Sequence, residues 1–232
     1  MTTQPSSQPS DFEAVRCLSL PLADKLDAYH DRLKLNLPRV AAAYQEMVDR
    51  LTAADAGAGA INVGDQLPPF LLPDETSRLV DSQTLLSSGP LVISFNRGHW
   101  CSFCRFELLA LNDIYPDIKA CGAEIVSVTP QRASYMKQMR KAWNIQFSFL
   151  SDLDNKYAIA NSLVVPVGET MSSLYEALGI DLAEFQASSG KFLPIPATYV
   201  VARSGTVVAA HTQPDFRKRM QPDKIMQALR SI

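Results

Sequence analysis

The 232-residue chain has no long apolar run, and nothing in it approaches the roughly 20 residues that span a bilayer. No membrane-spanning helix is expected in this sequence. The first residues, MTTQPSSQPSDF, are polar and carry no apolar segment, so no secretory leader is expected there. An excess of one charge is also missing: 22 basic and 24 acidic residues leave a net charge of −2. No basic stripe stands out, so the electrostatic footprint of a nucleic-acid binder is absent. Neither a membrane nor a nucleic acid is expected as a partner, and the expected location is cytoplasmic. Cysteine is scarce, with four at positions 17, 101, 104 and 121. In a reducing compartment structural disulfides are uncommon, and a close cysteine pair points to electron exchange or metal binding.

What is present is an ordinary globular composition, 47% hydrophobic and 20% charged. Residues 1–10 are rich in Ser, Gln, Pro and Thr and are expected to be disordered. From Leu22 the pattern turns helical. Leu22, Leu26, Tyr29, Leu33 and Leu37 recur every three or four residues and form one apolar stripe. Pro38 ends that helix or opens the next. Val40, Tyr44, Met47, Val48 and Leu51 mark the second helix, and the glycines of DAGAGA at 55–60 stop it. The expectation is a helical N-terminal extension over 11–57, followed by one domain over 58–232. The helical pair reads either as a docking or dimerisation arm or as a pair packed on its own domain.

Past residue 57 the periodicity changes. Short apolar runs at 91–95 (LVISF), 124–129 (EIVSVT) and 147–150 predict buried strands. Runs at 198–202 and 206–210 predict a hairpin around Arg203-Ser204-Gly205. Helices are predicted over 101–121, 132–143, 154–161, 171–178 and 222–230, with the rest of 165–195 irregular. Strand–helix alternation closed by a hairpin and a helix predicts an α/β fold with a mixed central sheet flanked by helices.

The chemistry concentrates in Phe95-Asn96-Arg97-Gly98-His99-Trp100-Cys101-Ser102-Phe103-Cys104, after a predicted strand and at the start of a predicted helix. Helical residues three apart have Cβ atoms about 5–6 Å from each other, and a small adjustment brings two cysteines within disulfide reach. The first helical turn presents unpaired N–H groups and the positive end of the dipole. Both favour the thiolate, which is the reactive form. Arg97 and Arg105 flank the pair and add positive potential. Cys101 and Cys104 are therefore the candidate catalytic residues. A zinc half-site is the competing reading, but no second cysteine or histidine pair completes four ligands. No metal or cofactor is expected. Trp100 reads as a shield for the dithiol, and Arg97 either orients substrate or pairs with an acid such as Glu107. His99 and Cys121 read as incidental or packed, Cys17 sits in the extension, and Arg217-Lys218-Arg219 reads as a solvated face.

The strand–Trp-Cys-x-x-Cys–helix unit resembles the thioredoxin active site. Residues 61–230 resemble the peroxiredoxin-like (AhpC/TSA) group of the thioredoxin superfamily. The matching pieces are Val63-Gly64-Asp65-Gln66-Leu67-Pro68-Pro69-Phe70, LVISF, Arg97-Gly98-x-Trp100-Cys101-x-x-Cys104, Glu107-Leu108, Ser151-Asp152-x-Asp154 and Pro196-Ala197-Thr198-Tyr199-Val200-Val201. The resemblance implies a thioredoxin-like fold and thiol-dependent reduction of hydrogen peroxide or organic hydroperoxides. It also implies a redox-active Cys101–Cys104 disulfide, reduced again by a thioredoxin, a glutaredoxin or a small thiol, and a homodimer. A protein-disulfide oxidoreductase is the alternative, and a non-catalytic redox-sensing or interaction module is the third reading.

Two registers stay open. In the thioredoxin register Cys101 is the exposed attacking thiol and Cys104 the shielded resolving thiol. In the peroxiredoxin register Cys104 takes the peroxide-reducing position, with Glu107 as anchor. Cys101 then stands where that family has Thr or Ser, Arg97 where it has proline, and Pro196 where it has the arginine that holds peroxide. Ile195-Pro196-Ala197-Thr198 also resembles the cis-proline loop of thioredoxins, which implies a cis bond lying against the dithiol.

Overall fold

A computed structural model describes residues 10–232; the disorder expected for residues 1–10 falls, except at Ser10, outside the described residues. Ser10 caps a short helix, α1 (Asp11–Arg16), by accepting the Glu13 N–H. Two longer helices follow, α2 (Leu22–Asn36) and α3 (Pro38–Ala53). Leu22, Leu26, Tyr29 and Leu33 are buried as the spacing predicted. Leu37 is not: it is 47% exposed. The helix stops at Asn36, and Leu37 leaves helical geometry at φ −136° to join α2 to α3. Pro38 opens α3, where its missing N–H leaves no bond unmade. The pair lies against the rest of the chain, since Phe12, Leu26, Tyr29, Met47 and Leu51 share one core with Leu91 and Ile93.

A small antiparallel ribbon comes next, β1 (Leu71–Pro73) with β2 (Leu79–Asp81), then α4 (Ser82–Ser88). Neither was foreseen, because three-residue strands are too short to show a period. The alternating part runs β3 (Leu91–Phe95), α5 (Ser102–Asp113), α6 (Tyr115–Ala120), β4 (Glu124–Thr129), α7 (Ala133–Trp143), β5 (Ser148–Ser151) and α8 (Lys156–Ala160). The single helix predicted over 101–121 is two, because Pro116 lacks the N–H that would continue α5 and clashes with the preceding turn. The stretch 165–195 is more regular than expected. It holds β6 (Val164–Pro166), α9 (Glu169–Ala177), α10 (Leu182–Gln186) and β7 (Phe192–Pro194), with β6 and β7 paired antiparallel. The chain closes with β8 (Ala197–Val201), β9 (Val207–Thr212) and α11 (Pro222–Leu229).

The central sheet has the order β5-β4-β3-β8-β9. β3 to β5 are parallel, whereas β8 runs antiparallel to β3 and β9 antiparallel to β8. Both faces are covered, which is why β3 and β8 are buried at every residue and read as mostly apolar runs. Leu91, Ile93, Phe95, Tyr199 and Val201 point to the face beneath α1–α3, while Val92, Ile125 and Val200 meet Met136 and Ile225 on the other. This is the mixed α/β architecture of the thioredoxin-like fold. No cis peptide occurs among the described residues, so Ile195–Pro196 is trans, against expectation. The Ile195 N–H donates to the Leu163 carbonyl, and the chain passes extended from β7 into β8. Among the described residues no helix is long and apolar enough to cross a membrane.

Candidate active site

β3 carries the chain to the site. The Asn96 N–H donates to the Val128 carbonyl at 2.9 Å and its side-chain amide to Ser127 Oγ at 2.8 Å, fixing the exit from the sheet. Gly98 then adopts φ +127°, and a Cβ there would stand 2.7 Å from the Gln131 amide. Only glycine fits that turn. Gln131 in turn accepts the His99 N–H at 2.9 Å. The turn delivers Cys101 to the N-cap of α5, where its sulfur accepts the Cys104 N–H at 3.3 Å. A sulfur thus occupies the place of a capping oxygen, in the positive field of the helix start. Cys101 Sγ and Cys104 Sγ are free thiols 2.6 Å apart.

Two buried guanidinium groups face this pair. Arg97 Nη2 donates to Cys101 Sγ at 3.4 Å. Arg97 is 1% exposed, and among the described residues it has no carboxylate partner. Arg219 is 4% exposed; its Nε donates to Glu107 Oε2 at 2.7 Å and its Nη2 lies 3.6 Å from Cys104 Sγ. Thr198 Oγ1 donates to the other Glu107 oxygen at 2.7 Å. Burial raises the Cys101 thiol, but the Cys104 hydrogen bond and the charges of Arg97 and Arg219 outweigh it and hold Cys101 well below the ordinary thiol range. Burial and the neighbouring Cys101 together push Cys104 well above that range. Burial also raises Glu107, with Arg219 opposing it. Two guanidinium charges and one carboxylate leave one positive charge, which the Cys101 thiolate neutralises.

The site is closed. Cys101 is 2% exposed and Cys104 fully buried, which corrects the expectation of an exposed attacking thiol. The shell comes from segments remote in sequence. The Phe216 ring lies 3.8 Å from the Arg97 guanidinium carbon and the Trp100 ring 5.2 Å from it. Tyr44 of α3 packs on Phe216 at 5.3 Å and on Phe103 at 6.2 Å, and Tyr29 of α2 packs on Phe103 at 5.3 Å. Tyr175 of α9 packs on Trp100 at 4.9 Å.

Other expectations fare unequally. Glu107 pairs with Arg219 and not with Arg97. Arg105 points away from the sulfurs, pairing with Glu13 at 2.9 Å over the Phe12 ring, since adjacent helical residues face different directions. His99 stacks on Tyr135 at 5.0 Å and bonds Gln131. Pro196 is buried next to Ala197, which pairs with Phe95, and brings no cation. Cys17 is exposed and Cys121 half-buried. The run 217–219 is not a uniform solvated face: Lys218 pairs with Asp27 at the surface, whereas Arg219 enters the core. As residues of the site, Arg219, Tyr175, Tyr44 and Phe216 escaped the sequence reading. For Arg219 a signal existed in its apolar neighbours Phe216 and Met220, both buried.

Known proteins are similar to this chain in sequence and in fold. The chain is 26% identical over 172 residues to the chloroplastic peroxiredoxin Q of Sedum lineare, covering 74% of this chain and 80% of that protein. It is 30% identical over 98 residues to the chloroplastic peroxiredoxin Q of Oryza sativa subsp. japonica, where the match spans 42% of this chain and only 45% of the relative. The crystal structure of peroxidoxin BcpB from Mycobacterium tuberculosis is similar in fold, with a TM-score of 0.58 at 20% identity over 74% of this chain and 98% of that one. The model of the AhpC/TSA family matches residues 63–210, well over half of the 232, and the chain belongs to that family.

Proposed function

We propose that this protein is a thiol-dependent peroxidase that reduces hydrogen peroxide or organic hydroperoxides through the Cys101–Cys104 dithiol. One observation carries the reading: the buried Arg97 guanidinium donates to Cys101 Sγ, with no carboxylate to take its charge among the described residues, and a second thiol touches that sulfur. The Cys101 thiolate attacks the terminal peroxide oxygen; an S–O bond forms, the O–O bond breaks, and a sulfenic acid and an alcohol or water result. Cys104 then attacks the sulfenic sulfur, forming the disulfide and releasing water. A thioredoxin, a glutaredoxin or a small thiol restores the dithiol by exchange. The charges favour Cys101 as attacker and Cys104 as resolver. Family members hold peroxide with an arginine where Pro196 stands here; Arg97, and Arg219 from beyond the family-matched residues, offer guanidinium groups in its stead.

The Trp-Cys-x-x-Cys unit also supports the disulfide-oxidoreductase reading. Burial weighs against it, because a protein disulfide must meet a sulfur that is 2% exposed, whereas hydrogen peroxide has two heavy atoms. The same closure ranks the reductants: a small thiol needs a narrow opening, a thioredoxin needs α2 and α3 lifted away. A cytoplasmic location and a homodimer complete the proposal, the latter to be read by light scattering. The test is peroxide consumption with dithiothreitol. Cys101→Ser is expected to abolish it. Cys104→Ser is expected to consume peroxide and accumulate a trappable sulfenic acid at Cys101. Turnover surviving in Cys101→Ser refutes the assignment, and insulin reduction without peroxide turnover transfers it to the alternative.

A further inference from the structure

The shell around the dithiol holds more hydrogen-bond donors than the resting site uses. Among the described residues, Arg97 Nε, Arg97 Nη1, Trp100 Nε1 and Tyr175 Oη are all buried without a hydrogen-bond partner. They belong to three side chains in contact, since Arg97 lies over the Trp100 ring and Tyr175 packs on the same ring. Buried polar groups are rarely left unpaired, and those that are call for an explanation. A cluster of donors with no acceptor fits a ligand rich in lone pairs, next to the thiolate. Within it only Tyr175 is able to give up a proton, because guanidinium does not deprotonate and the indole N–H is a donor alone.

We infer that Tyr175 is the acid of the peroxide-reducing step, giving its hydroxyl proton to the oxygen that leaves as Cys101 attacks. The inference rests on the peroxidase reading above. The Cys101 thiolate and R–O–O–H give Cys101–S–OH and RO⁻, and RO⁻ takes the Tyr175 proton to leave as ROH. When the disulfide is later reduced and Cys101 re-forms as a thiolate, the proton released there restores Tyr175. Negative charge therefore moves from the sulfur to the phenol oxygen. Arg97 faces both, so its guanidinium is not left alone in an apolar shell during the reaction. Burial pushes the Tyr175 hydroxyl up to about 12, against the opposing charge of Arg97. It remains a stronger acid than water, at about 15.7, so the transfer runs downhill.

The leaving group supplies the test. Hydrogen peroxide and tert-butyl hydroperoxide expel strongly basic oxyanions. Peracetic acid expels acetate, which needs no proton. General acid catalysis contributes about 10²–10⁴-fold. In Tyr175→Phe the rate of Cys101 oxidation is expected to fall about 100-fold or more with the first two oxidants and by less than about threefold with peracetic acid. The substitution removes a hydroxyl that faces Arg97 and has no other hydrogen-bond partner among the described residues, and it keeps the ring on Trp100. Alkylation of Cys101 by iodoacetamide, which needs the thiolate but no acid, is expected to stay within about twofold. An equal loss with all three oxidants, or no loss with any, overturns the inference. A wild type that reduces none of them sinks the peroxidase reading itself, a distinguishable result.

Discussion

Replacing Arg97 with methionine removes a buried charge and keeps an unbranched side chain in the same aromatic shell. Arg97 Nη2 stands 3.4 Å from Cys101 Sγ. At 4 Å and an effective dielectric constant near 20, two unit charges attract by about 4 kcal/mol. That energy corresponds to about a thousandfold change in the ionisation constant of the thiol. Arg219 remains nearby, so the thiolate is weakened and not abolished. The assay is iodoacetamide alkylation against pH in a background of Cys17→Ser and Cys121→Ser, because those thiols would also report. Only the thiolate reacts, so the rate follows the ionised fraction. Arg97→Met is expected to move half-maximal alkylation to higher pH and to slow the reaction about a thousandfold below that point. Stability is expected to go the other way. Exchanging a whole buried ion pair for well-packed apolar groups is often neutral or stabilising by about 1–4 kcal/mol, and Arg97→Met approaches that case because Cys101 takes up a proton once its counter-ion is gone, leaving no charge unpaired. An alkylation profile that does not move refutes the view of Arg97 as counter-ion. A large loss of stability would make it a structural residue.

Two further outcomes follow from the same charges. Arg219→Met strands the Glu107 carboxylate, 1% exposed, in the core and is expected to cost about 3–5 kcal/mol in urea unfolding; a loss within experimental scatter refutes the pairing. The dithiol also sets a pH dependence. Cys101, held below its unfolded value of about 8.5, adds stability above that pH and loses it as pH falls through its folded value. Cys104, held above 8.5 or so, is neutral below that pH and costs stability as pH rises past it. Their joint contribution is expected to peak near pH 8.5, read as the unfolding difference between the reduced wild type and the double serine variant. A flat difference contradicts both shifts.

The sequence carried the sheet and the sulfurs but not the shell. β3 and β8 were legible because burial on both faces makes five buried, mostly apolar residues in a row, bounded by turn formers. β1, β2, β6 and β7 span three residues each, too few for any period. The adjacency of Cys101 and Cys104 followed from their spacing at a helix start, which is local geometry. Their burial did not, because Tyr44, Tyr175 and Phe216 reach the site from elements distant in sequence, as Arg219 reaches Cys104 from 115 residues away. Leu37 failed for a related reason: an apolar stripe marks a helix face but not its end. In the run 217–219, three like charges look alike in sequence, and only packing separates the surface Lys218 from the buried Arg219.

Burial and activation are often taken as opposed, since an apolar environment raises a thiol. Here the same closure does both. Water excluded from the shell leaves the attraction between Arg97 and Cys101 less screened than at a surface. Glu107 cancels one of the two guanidinium charges, so a protonated Cys101 would leave a net positive charge sealed among aromatic rings. Ionising Cys101 removes that imbalance without importing an ion. The thiolate is therefore favoured by the charge count of the closed site and not only by the start of α5. Both cations lie outside that helix, on either side of it in the sequence, which is why a Cys-x-x-Cys motif alone does not determine which sulfur is charged.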